Sequence, residues 1–193
     1  MKKQVFIING SGGTGKDTFV ELVHDSDNFY RLIAGKYIKR VKVYNYSSVT
    51  KVKKIAKLIG WNGEKTEKDR KFLSDLKLLT SEYNDMPLED VKSYANKVFN
   101  SDFDRCDIKI LFLHIREPEE ISKAVNEFKK YNAKTILVKR DSIKHITSNM
   151  ADGNVYNYDY DIVINNNGTL DDLKVKAECF LMDFETNGLK NEY

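Results

Sequence analysis

The chain has 193 residues, 41% of them hydrophobic and 11% aromatic, which is enough to supply the core of one domain and gives no reason to expect a second. Its 32% charged residues carry both signs and are mixed along the chain, which excludes a disordered polyelectrolyte. A net charge of +3 is too small to mark a nucleic-acid binder, no apolar run is long enough to span a membrane, and the stretch 5–8 after Lys2 and Lys3 meets glycines too soon for a signal peptide.

Residues 4–9 form a short apolar run stopped by glycines, as expected of a strand buried on both faces of a parallel sheet. From residue 17 to about 24 the spacing of Phe19, Leu22 and Val23 predicts a helix. Residues 41–46 read as a second strand, and Ser47 or Ser48 is expected to cap a helix whose apolar face is Val49, Val52, Ile55, Ala56 and Ile59, ended by Gly60. Phe72, Leu76, Leu79 and Tyr83 predict one side of a further helix, and after the break at Pro87 the residues Leu88, Val91, Tyr94, Ala95 and Val98 predict another. The most apolar strand is 107–115, followed by a helix with Pro118 in its first turn and Ile121, Val125 and Phe128 facing inward. Strands at 135–139 and 161–165 follow, and Thr169 with Asp172 makes a capping box for a last helix carrying Leu173, Ala177, Phe180, Leu181 and Phe184.

Five strands alternating with helices predict an α/β fold, a parallel sheet with helices on both faces, because parallel strands need crossover connections. The polar, aromatic-rich stretch 140–160 is longer than an ordinary connection and is expected to be a lid. Cys106 and Cys179 match no metal or redox spacing and are expected to be reduced packing residues of a cytoplasmic protein.

Gly10, Ser11, Gly12, Gly13, Thr14, Gly15 and Lys16 fit the spacing G-x-x-x-x-G-K between a buried strand and a helix. Glycines there let the backbone close around phosphate oxygens, with N–H groups directed inward at a helix N-terminus and Lys16 reaching the β- and γ-phosphates. The competing reading is a glycine-rich turn with no ligand. After the lysine the usual Ser or Thr is replaced by Asp17. Its carboxylate can hold magnesium, or it can simply favour the helix start while Thr18 or water takes the metal.

Gly15, Lys16, Asp17 and Thr18 resemble the GKDT loop of phage-type deoxynucleoside monophosphate kinases. Other stretches are similar in order: Gly60 to Gly63 followed by Asp69 and Arg70; His114, Arg116, Pro118 and Glu120 at a strand end; the region 141–149 with His145; and Tyr160 to Thr169, an ending shared with dephospho-coenzyme A kinases. The resemblance implies a three-layer P-loop NTPase fold, nucleoside monophosphate kinase-like, with one domain over 1–193. It also implies a five-stranded parallel sheet, a substrate-binding helical region at about 47–100 and a lid at about 140–160. It implies ATP and Mg2+ as cofactors, bound by residues 10–18 and by Asn166, and transfer of the γ-phosphoryl group to a small phosphate-bearing acceptor. Nucleic acid and membrane are not expected as partners.

Such transfer needs positioning and charge neutralisation more than a protein base, so arginines are expected to matter. Arg70 and Arg116 are candidates for the acceptor phosphate, and Lys16, Arg116 and Arg140 for the transferred group. Arg70 stands among lysines and equally suits a solvated helix face, whereas Arg116 and Arg140 follow strands, at the carboxyl ends where open α/β sheets bind ligands. The asparagines 165, 166 and 167 fall where the resembling kinases approach adenine, and they are also ordinary turn formers. The tyrosines 156, 158 and 160 either stack on a base or pack the lid. His114 stands where the family has an aspartate, which leaves a catalytically weak regulatory nucleotide binder as an alternative, with Glu117 or Glu120 as substitute carboxylates or merely helix-starting residues.

Overall fold

A computed structural model describes residues 1–33, 40–64, 66–101, 106–143, 154–186 and 188–193. His145, Lys65 and the central part of the 140–160 stretch expected as a lid lie outside the described residues.

The chain runs β1 (Lys2–Asn9), α1 (Lys16–Ile33), β2 (Val41–Ser47), α2 (Thr50–Leu58), α3 (Glu67–Asn84), α4 (Met86–Asn100) and β3 (Ile108–His114). It continues through α5 (Pro118–Glu127), a single 3-10 turn, β4 (Lys134–Lys139), β5 (Ile162–Asn165) and α6 (Leu170–Glu185). The five strands form one sheet in the order β2-β3-β1-β4-β5, and every pairing is parallel. This is the α/β architecture expected from the sequence, with β1 in the middle of the sheet.

Strand alternation sends side chains to two cores. On one face Phe6, Ile8 and Phe112 meet Phe19 and Val23 of α1 and Phe180 and Phe184 of α6. The ring of Phe6 stacks on Phe112 at 5.4 Å and meets Phe180 edge-on at 5.1 Å, so this face of β1 and β3 is locked to α6 by ring geometry as well as burial. On the other face Val5, Ile7, Leu111 and Leu113 pack against Val91, Ala95 and Phe99 of α4 and Ile121 and Ala124 of α5. Each fully buried aliphatic or Phe side chain there contributes about 1.5–3 kcal/mol. The result is three layers.

Local chemistry sets the element ends. Thr169 and Asp172 form the expected reciprocal capping box at α6, and Thr66 with Asp69 forms another at α3. Lys109 is a lysine buried in the sheet, with its Nζ donating to Val98 O at 2.8 Å and Ser101 O at 2.7 Å. It thereby satisfies a carbonyl in the last turn of α4 that the helix cannot satisfy itself. The C-terminal residues lie along β5: Val163 N donates to Asn191 O and Tyr193 N to Val163 O, which covers an otherwise open sheet edge.

Three expectations are corrected. The first helix runs on to Ile33 instead of stopping near residue 24. The N-cap of α2 is Val49 with no side-chain cap; Ser47 Oγ only meets the Val49 N–H at 3.5 Å, and Ser48 N donates to His114 O instead. Ile59, expected on the inner face of α2, is 63% exposed. The helix expected around Phe72, Leu76, Leu79 and Tyr83 forms as α3, but none of its residues is buried and Tyr83 is 85% exposed. It packs on α2 and α4, so its apolar stripe never reaches the sheet.

Candidate functional site

The glycine-rich loop joins the carboxyl end of the central strand to the first residue of α1. It turns where the chain parts to both faces: α1 leaves β1 for one layer, α5 leaves the adjacent β3 for the other. That divergence opens a crevice at the strand ends, where open α/β sheets take ligands.

The loop is held in shape from within and from below. Thr14 is fully buried, and its Oγ1 donates to Ser11 O at 3.0 Å. Phe19 N donates to Gly15 O at 2.8 Å, which starts the helix directly after the glycine. Gly10 accepts no side chain, since a Cβ there would sit 2.5 Å from Val138 O. Gly15 has φ +90, and a Cβ on it would overlap Asn166 Nδ2. That amide nitrogen donates to Thr14 O at 2.8 Å, so Asn166 braces the loop from β5. Gly13, by contrast, is exposed at the loop's outer side, and Ser11 Oγ is buried without a partner among the described residues.

Charge gathers at the mouth of α1. His114 ends β3 with its side chain 12% exposed, and its Nδ1 lies 3.4 Å from Oδ1 of Asp17, which is 72% exposed. Burial drives the His114 pKa down to about 4; Asp17 opposes this, and Lys16 and Arg116 add to it. His114 is therefore neutral at ordinary pH, and Lys16, Asp17 and Arg116 all lie within electrostatic reach of it. Arg116 is half-buried just beyond β3, and Arg140 half-buried just beyond β4. Arg70 stands exposed in the first turn of α3 and is not among the charges acting on His114. Glu120 is committed elsewhere: its Oε2 lies 2.6 Å from Lys77 Nζ.

These residues fit a polyphosphate. The loop is closed where a Cβ cannot be admitted, it opens on a helix N-terminus, and the local cations outnumber the anions. For magnesium the fit is narrower. Among the described residues no group of three His, Cys, Asp or Glu is placed to hold a metal. Asp17 alone offers a carboxylate at the helix mouth, and a hard cation held by one carboxylate completes its shell with phosphate oxygens and water. A neutral imidazole is a poor ligand for such an ion.

One supporting residue, Asn9, escaped the sequence reading, and Asp141 and Asn167 make a contact that it did not anticipate. Asn9 is fully buried, its Oδ1 accepts from Gly10 N at 2.8 Å, and its Nδ2 donates to Arg116 O and to the Tyr160 hydroxyl. Asp141 and Asn167 pair reciprocally, main-chain N to Oδ1 at 2.8 Å and Nδ2 to Oδ2 at 2.6 Å, and so join the turn after β4 to the turn after β5. The only signal for Asn9 was an amide at the end of a buried strand. Of the three tyrosines, Tyr158 and Tyr160 pack on the α4–α5 side of the sheet, while Tyr156 is exposed.

Fold and site together define a three-layer α/β protein with a braced glycine-rich loop at the carboxyl end of its central strand. No family model and no curated protein matches the chain. Among solved structures, the Deinococcus radiodurans tunicamycin resistance protein aligns at TM-score 0.38 and 8% identity, over 100% of this chain and 86% of that one. The thymidylate kinase from Ehrlichia chaffeensis aligns at TM-score 0.29 and 9% identity, over 100% of this chain and 93% of that one. Both scores are low. Among the described residues no helix is long and apolar enough to cross a membrane.

Proposed function

We propose that the chain, acting as one kinase domain over 1–193, transfers the γ-phosphoryl group of ATP to a small phosphate-bearing acceptor, a nucleoside or deoxynucleoside monophosphate. The observation that carries this reading is the braced loop, with Lys16 at its exit and Arg116 beside the same crevice. Backbone N–H groups of residues 12–16 hold the β-phosphate, and Lys16 draws charge from the β- and γ-oxygens. Asp17 would hold a magnesium ion at the helix mouth, and that ion would supply neutralisation of phosphate charge.

A monophosphate acceptor is already anionic, so no side chain has to remove a proton, and catalysis rests on alignment and charge. Arg116 holds the acceptor phosphate with paired hydrogen bonds, with Arg70 on the helical region 47–100 as a second contact. Arg140 meets the transferred group from the side of the 140–160 segment. Asn166 contributes to nucleotide binding by fixing Thr14, whose carbonyl it engages.

A second reading has its own support. With His114 neutral where the resembling kinases carry a carboxylate, a slow nucleotide-binding regulator also fits the site. Transfer from ATP to nucleoside monophosphates and to dephospho-coenzyme A, with Lys16→Ala as control, separates these. Turnover on one monophosphate that Lys16→Ala abolishes supports the kinase. Turnover on dephospho-coenzyme A alone reassigns the acceptor. ATP binding with no acceptor turned over leaves the regulator.

A further inference from the structure

We infer that Asn9 is a positioning residue that holds the phosphate loop, the Arg116 main chain and residues 155–160 in a single register. The inference rests on the proposed triphosphate binding. Asn9 is fully buried at the last position of β1, next to the loop it serves. Its carboxamide has one acceptor and two donor hydrogens in use: Oδ1 takes the Gly10 N–H at 2.8 Å, and Nδ2 gives to Arg116 O at 3.0 Å and to Tyr160 Oη at 2.7 Å. Tyr160 passes the connection on, since its hydroxyl donates to Val155 O at 2.8 Å.

The three partners come from separate parts of the chain, 107 residues away for Arg116 and 151 for Tyr160. Among the described residues the β1–β3 ladder ends at Ile8 opposite His114, short of these three points, and beyond it one amide joins them. A group whose donors and acceptor are all occupied in a dry environment has one stable orientation, so each partner restrains the other two. Freeing Tyr160 from Asn9 therefore loosens the Gly10 N–H as well, and a looser loop binds a polyphosphate less tightly because it must be ordered first. Nor can a carboxylate do the same work, because it has no hydrogen to give Arg116 O.

The test is ATP affinity by isothermal titration calorimetry, well below each variant's unfolding temperature, for wild type, Lys16→Ala, Tyr160→Phe, Asn9→Ser and the double variant. Tyr160→Phe removes a hydroxyl that touches no proposed phosphate contact. It is expected to weaken ATP about three- to tenfold, the worth of one hydrogen bond. In the Asn9→Ser background the same change is expected to have no further effect.

An unchanged affinity in Tyr160→Phe, with only a lower unfolding temperature, would mean a structural role and overturn the inference. Losses that multiply in the double variant would overturn it too. Should Asn9→Ser not fold, Tyr160→Phe alone decides. A wild type that binds no ATP removes the phosphate-loop reading and this inference together, whereas wild-type binding lost in Lys16→Ala but untouched by Tyr160→Phe removes the inference alone.

Discussion

Gly15→Ala tests the bracing of the loop directly, because its cost divides into two parts that can be measured separately. The position has φ +90, where an L-residue is strained by about 1–2 kcal/mol. The new methyl also overlaps Asn166 Nδ2, so Asn166 must swing away and leave Thr14 O buried without its donor, at about 1–3 kcal/mol. Together the loss is roughly 2–5 kcal/mol. At about 2–4 °C per kcal/mol for a chain of this size, the midpoint falls by some 4–20 °C. Calorimetry and urea unfolding of Gly15→Ala, Asn166→Ala and the double variant give the parts. With Asn166 already truncated the overlap is gone, and Gly15→Ala should cost only the strain, about 1–2 kcal/mol. An equal cost in both backgrounds, or no cost in either, would refute the bracing argument.

His114 should also make stability depend on pH. Its folded pKa, about 4, lies below the ordinary 6.5, so the native state binds fewer protons; stability is full above 6.5, falls as the pH drops, and levels off below 4. The difference amounts to about 3 kcal/mol, readable as the excess loss in wild type over His114→Gln in urea unfolding from pH 7 to 4. Identical profiles would contradict it. Phe180→Ala removes the ring that joins Phe6, Phe19 and Tyr193 and should cost about 3–5 kcal/mol by chemical denaturation. Thr169→Ala opens the α6 capping box and should cost about 1 kcal/mol in the same assay, with Thr169→Ser nearly neutral.

The strands and α6 were legible because their signals are periodic and their partner is the sheet itself. Leu173, Ala177, Phe180, Leu181 and Phe184 repeat at helical spacing, and all five are buried. The stripe Phe72, Leu76, Leu79 and Tyr83 has the same spacing and misleads, since periodicity identifies an apolar side without saying what covers it. The loop was legible for another reason: glycines at fixed spacing specify a backbone path that other residues cannot follow. What supports it was not. Asn9 gave no periodic signal, and Asn167 and Tyr160 were named for other roles; their contacts lie far apart in sequence, where no period betrays them.

His114 changes the electrostatics of the site more than its place in the strand suggests. Were residue 114 an aspartate, its charge and that of Asp17 would balance Lys16 and Arg116, and a magnesium ion would face two carboxylates. A neutral imidazole leaves two cations against one anion at the same mouth. Under the proposed function, such a site would attract a polyphosphate through the protein's own charge and would depend on Asp17 for a carboxylate ligand to the metal. Burial maintains this arrangement, because a proton on His114 would have to be desolvated beside Lys16 and Arg116. The two readings of function separate here: charge that favours holding a triphosphate is present in full, whereas the acidic groups that organise its metal for transfer are reduced to one. On this account His114→Asp should weaken ATP binding without metal, and tighten it relative to wild type once magnesium is added, as titration calorimetry in each condition would show. A variant weaker than wild type in both conditions would mean that residue 114 does not adjoin the metal.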